Sequence, residues 1–110
     1  MATSATSTSS ATSGAHPFLV EITFDAAVVP SERRAAILRD ERQRGRELMR
    51  AGKIERIWRI PGTSSSVSIW SAGSRAQLDG WLQALPIAPW SEFQIIDLDR
   101  HPLESEEERT

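Results

Sequence analysis

Apolar residues in this chain recur with one period and then another, and the order of those periods restricts the fold more than any single motif. In "FLVEITFD" (18–25), Phe18, Val20, Ile22 and Phe24 fall on one face and Leu19, Glu21 and Thr23 on the other. That two-residue alternation predicts a strand with one fully apolar face. Segment 28–53 then switches to helix-forming residues, with Ser31 as N-cap and Gly52 as stop. At ~3.6 residues per turn it makes a helix of about six turns. Two short strands follow, "IERIWRI" (54–60) and "SSVSIWS" (65–71), joined by "PGTS". Ser74 caps a second helix over 75–85, where Leu78, Trp81, Leu82 and Leu85 have helical spacing. Two prolines make 86–90 a loop, and "EFQIIDLD" (92–99) is the last strand.

The resulting order, β-α-β-β-α-β, is the split βαβ motif of the ferredoxin-like α+β sandwich. Its four-stranded antiparallel sheet carries two helices on one face. The other face, with Leu19, Thr23 and Ile57, is too apolar to leave wet, so a second copy is expected to cover it. One ordered domain is expected over 16–103. Residues 1–15 are almost entirely Ser, Thr and Ala and are expected to be a disordered leader, with 104–110 an acidic polar tail.

Composition removes several function classes. The absence of cysteine excludes disulfide scaffolds, thiolate catalysis and Cys-type zinc sites. Two histidines, His16 and His101, are too few for a self-sufficient multi-histidine metal site. No apolar run approaches the roughly 20 residues that span a bilayer. The leader lacks the basic and apolar regions of a secretory signal, so the expected location is the cytoplasm. Segment 31–53 carries eight Lys/Arg against four Asp/Glu. The two signs are interspersed and the net charge is −2, so a solvated or interfacial helix is expected rather than a nucleic-acid surface.

"RDERQRGRELMRAGK", "RIWRIPG", "LPIAPW" and "RHP" occur in an order and at a spacing that resemble the muconolactone isomerase (muconolactone delta-isomerase) family. The resemblance covers 18–102. It implies a ferredoxin-like fold in a dimeric α+β barrel type of assembly, extending to a homodecamer. It also implies catabolism of aromatic compounds by the β-ketoadipate pathway, where a double bond moves within a small carboxylated lactone. No metal or organic cofactor is implied. The chain departs from the family pattern at Thr63, Ser64 and Ser66, where His-Tyr and an Asn are common. It also carries Glu21 in place of Lys and Trp90 in place of Tyr. These departures place Thr63, Glu21 and Trp90 among the expected substrate-binding residues. They also keep a second reading open, a non-catalytic or repurposed ligand-binding member of the same fold.

A proton shift beside a lactone carbonyl needs a base, donors for the enolate oxygen and a dry pocket. On a helical wheel Leu38, Gly45, Leu48 and Met49 form the apolar stripe of the first helix, and Glu41 falls inside it. Burial there would raise its pKa, which makes Glu41 the candidate base. Arg59 can hold a substrate carboxylate through a bidentate pair. Strict alternation sends Trp58, Ile54 and Ile60 to one face and Arg59, Glu55 and Ile57 to the other. Trp58 is then expected against the helices and Arg59 on the open face, both as substrate-binding candidates. Arg100 and His101 close the last strand, with Arg100 a further binding candidate and His101 a second proton-transfer candidate. Gly45 is expected to mark close packing of helix on sheet, and Trp81 to lie in the core.

Overall fold

The alternation in "FLVEITFD" places Phe18, Val20, Ile22 and Phe24 under the helices, each at most 6% exposed. The computed structural model describes residues 15–104. The expectations for the leader and for 105–110 lie outside the described residues. The elements are β1 (His16–Phe24), α1 (Ser31–Arg50), β2 (Ile54–Arg59), β3 (Ser66–Ala72), α2 (Arg75–Gln83) and β4 (Ser91–Asp97). Short 3₁₀ turns at Ala26–Val28 and Ala88–Trp90 precede α1 and β4. The sheet order is β2-β3-β1-β4, and every neighbouring pair is antiparallel. This is the ferredoxin-like topology. Among the described residues no helix is long and apolar enough to cross a membrane.

Helix ends follow local chemistry. Ser31 is the first helical residue of α1 rather than its cap; Pro30 takes the cap position, with no side-chain cap bond. Proline serves because its fixed φ suits the turn into a helix. At the other end Gly52 N–H donates to Met49 O and Lys53 N–H to Leu48 O, a Schellman closure. Gly52 has φ 77° there, the left-handed conformation that favours glycine. In α2, Ser74 is the cap: its side chain accepts from Gln77 N–H at 3.1 Å.

The core joins the inner face of β1 to Trp70 of β3, Leu48 of α1, and Leu78 and Leu82 of α2. Trp81 is half-buried and stacks on Trp70, with ring centroids 6.4 Å apart.

β2 departs from strict alternation. Ile54 pairs with Trp70 and Arg56 with Ile69, so Glu55 is one extra residue and forms a β-bulge. Beyond the bulge Ile57 opposes Ser68, Trp58 opposes Val67 and Arg59 opposes Ser66. Directly opposed residues share a face, and Ser66, Ser68 and Trp70 face the helices. The expected orientations are therefore exchanged. Arg59 and Ile57 lie on the helix side with Ile54, while Trp58 lies on the open face, 49% exposed. Arg56 accompanies it, with its guanidinium 5.1 Å from the Trp58 ring centroid. Leu19 and Thr23 do lie on the open face, opposed by Ile69, Ile96 and Glu92. Met49 leaves the apolar stripe of α1 and is 45% exposed.

Candidate active site

A cavity of about 410 Å³ separates α1 from the inner face of the sheet. Leu38, Glu41, Arg42, Gly45 and Leu48 form its helical wall. Leu38, Glu41, Gly45 and Leu48 are three or four residues apart, which brings them to one helix face. Ile22, Phe24, Ile57, Ser66, Ser68 and Trp70 line the sheet side, and Leu85 and Ile87 close one end. Arg59 lines the cavity as well, although it stands exposed at the end of β2. It also lines an open depression with Thr23, Asp25, Gly62, Thr63 and Ser64, so its guanidinium marks the mouth of the cavity.

Glu41 is held from outside its own helix. The backbone N–H of Ile87 donates to Glu41 Oε1 at 3.3 Å. Burial pushes the carboxyl above the ordinary glutamate range, and the Ile87 hydrogen bond opposes this with smaller weight. Among the described residues Glu41 forms no ion pair. A partly desolvated carboxylate in an apolar wall is a stronger base than a solvated one.

The other expected residues are distributed unevenly. Thr63 lines the mouth rather than the cavity. Its Oγ1 donates to Ile60 O at 2.8 Å and accepts from Ser65 N–H at 3.0 Å, which fixes the turn. Trp90 packs at the edge of the core, with the Arg33 guanidinium 5.4 Å from its ring centroid. Trp58 and Glu21 lie on the opposite face of the sheet from the cavity. His101 Nδ1 accepts from Leu103 N–H at 3.0 Å and shapes an exposed corner. Arg100 is exposed beside it, 3.9 Å from Glu104. The fold of one chain thus joins Glu41 with Arg59 and leaves His101, Arg100, Trp90, Trp58 and Glu21 outside the cavity.

Two lining residues escape a reading by motif, Arg42 and Ser68, while Ser64 and Ser66 line the cavity at two of the positions where the chain departs from the family pattern. Ser66 and Ser68 had a signal, because they occupy the inward positions that Trp70 continues in β3. Ser68 is fully buried, and its Oγ accepts from Trp70 Nε1 at 2.8 Å. Gly45 reverses its expected role. A Cβ built there meets nothing within 4 Å, so the glycine opens space rather than permitting close packing. Among the described residues no group of three or more His, Asp or Glu is placed to hold a metal ion.

A split βαβ sheet with a half-buried carboxylate and an arginine lining one largely apolar cavity defines an α+β protein of the ferredoxin-like class. Comparison with known proteins gives the family. Residues 17–104 match the family model Muconolactone delta-isomerase, and the chain belongs to that family. It is 36% identical to muconolactone Delta-isomerase of Acinetobacter baylyi over 74 residues, 67% of this chain and 77% of the relative. Muconolactone Delta-isomerase 2 of Acinetobacter lwoffii is 31% identical over 85 residues, covering 76% and 88%. A crystal structure of muconolactone isomerase superposes with a TM-score of 0.69 at 27% identity, covering 78% of this chain and 91% of that one.

Proposed function

We propose that this protein is an intramolecular isomerase that moves the ring double bond of muconolactone, or of a closely related carboxylated lactone, in the catabolism of aromatic compounds. The observation that carries the reading is that Glu41, its carboxyl raised by burial, and Arg59 line the same cavity. Arg59 binds the substrate carboxylate at the mouth and directs the ring inward. Glu41 takes the proton from the ring carbon that bears the carboxymethyl arm. The electron pair shifts through the double bond onto the lactone carbonyl oxygen, giving a dienolate. Arg42, next to Glu41 on α1, is the available donor for that oxygen. Glu41 then returns the proton to the carbon beside the carbonyl, so the double bond has moved and no atom is gained or lost.

The protein is further read as a cytoplasmic homo-oligomer. Leu19, Trp58, Val67, Ile69 and Ile96 make the outer face of the sheet apolar, and a second copy is its proposed cover.

The test is turnover of muconolactone in D₂O, followed by NMR. The expected product is the enol-lactone of β-ketoadipate, with exchange confined to the carbon beside the carbonyl. Tight binding of the lactone with no conversion would replace the isomerase by a ligand-binding member of the fold.

A further inference from the structure

The cavity is larger than the proposed substrate needs. Muconolactone has about ten non-hydrogen atoms and would fill roughly 150–200 Å³ at interior packing density. The cavity holds about 410 Å³. Part of the excess lies over Gly45. α1 turns back into β2 through Ala51–Lys53, so the C-terminal half of α1 lies beside the start of β2, and Arg59 lies at the other end. Gly45 is one helical turn beyond Glu41, away from Arg59 and towards Leu48, Ile54 and Trp70. A substrate anchored at Arg59 with its reacting carbon at Glu41 therefore points its far ring edge at the space over Gly45. That space is bounded mainly by apolar groups, and a Cβ at Gly45 would project into it unopposed.

We propose that Gly45 determines substrate specificity, and that the protein accepts lactone acids bearing an alkyl substituent on the ring edge remote from the carboxymethyl arm. This deepens the isomerase reading and rests on it. The substituent would lie against Leu48, Ile54 and Trp70, all buried apolar residues. Glycine in a helix interior is less stabilising than alanine. No positive φ requires it here, and no neighbour would obstruct a methyl group. Its use therefore favours the cavity over the helix.

The experiment compares kcat/KM for muconolactone and for its ring-methyl and ring-propyl derivatives, in the parent and in Gly45→Ala and Gly45→Leu. In the parent, kcat/KM should rise about fourfold per buried methylene until the space is filled. Gly45→Leu should lose the propyl substrate at least tenfold more than it loses muconolactone, with Gly45→Ala intermediate. Both variants should melt above the parent, because alanine and leucine favour the helix; this separates a filled cavity from misfolding. Equal losses on all substrates, or a parent that converts muconolactone and rejects both derivatives, overturns the inference and leaves the isomerase reading intact. If the parent converts none of the three, the isomerase reading fails and the inference fails with it.

Discussion

The backbone N–H of Ile87 reaches Glu41 Oε1 at 3.3 Å across 46 positions of sequence. The loop between α2 and β4 thus orients a carboxylate on α1 at the wall of the cavity. Pro86 and Pro89 flank this donor, and Ile87 itself is only 6% exposed. Replacing Glu41 by Gln keeps the size and the acceptor oxygen but removes the base. Turnover should fall by ~10²–10⁴-fold, while the circular dichroism spectrum stays unchanged. Parent-rate turnover by the variant would falsify the assignment.

The raised carboxyl of Glu41 gives opposite pH signatures for rate and stability. As a base it works only when deprotonated, so kcat should rise with pH through its elevated pKa and then level off. In stability the sign is reversed. The folded state holds the proton more tightly than the unfolded chain, so this contribution is complete below the ordinary glutamate pKa. It is lost as pH rises through the folded value. Glu41→Gln should therefore melt higher than the parent at neutral pH, and the difference should shrink on acidification. Thermal melts of both proteins from pH 4 to pH 8 check this.

Arg59→Lys retains a cation and loses the planar fork that pairs with a carboxylate. Charged hydrogen bonds contribute about 1.5–3 kcal/mol, so KM should rise roughly tenfold or more with little change in Tm. A variant with the parent KM places the substrate carboxylate elsewhere.

On the outer face, Trp58→Glu sets a charge on the edge strand β2 of an apolar surface that includes Ile69 and Ile96. If a second copy covers this face, light scattering should show the variant dissociating at concentrations where the parent stays assembled. An assembly of unchanged mass would move the interface to another surface.

Gly52 closes α1 at φ 77°. Gly52→Ala forces an L-residue into the left-handed region at a cost of about 1–2 kcal/mol. For a domain of this size that corresponds to a fall in Tm of roughly 4–8 °C per kcal/mol. Differential scanning calorimetry measures it directly.

Much of the architecture was legible because it rests on periodicity. The alternation of 18–25, the helical face through Leu38, Glu41 and Leu48, and Ser74 before α2 each state their local structure. Glu41 could be found because a carboxylate inside an apolar stripe violates the pattern. The directions of Trp58 and Arg59 were misread because alternation was carried through the bulge. Its trace was present: the adjacent charges of Glu55 and Arg56 separate Ile54 from Ile57 by three positions instead of two. Gly45 was misread for another reason. A small residue can mark either tight contact or empty space, and only the tertiary arrangement distinguishes them. The partners of Glu41 and Thr63 depend on chain crossings and turn geometry, which no local pattern encodes.

The bulge at Glu55 has a consequence for how such a site can be inherited. Glu55 absorbs one extra residue, so the side chains beyond it keep the faces they would have in a strand one residue shorter; were Glu55 drawn into the ladder instead, every later side chain of β2 would change sides. The hairpin could still pair and the sheet could still close, while an indole took the place of the guanidinium in the cavity. A lineage with this fold could thus lose the codon of Glu55 and keep its anion site, whereas a substitution that straightened the bulge would abandon the site with every catalytic codon untouched.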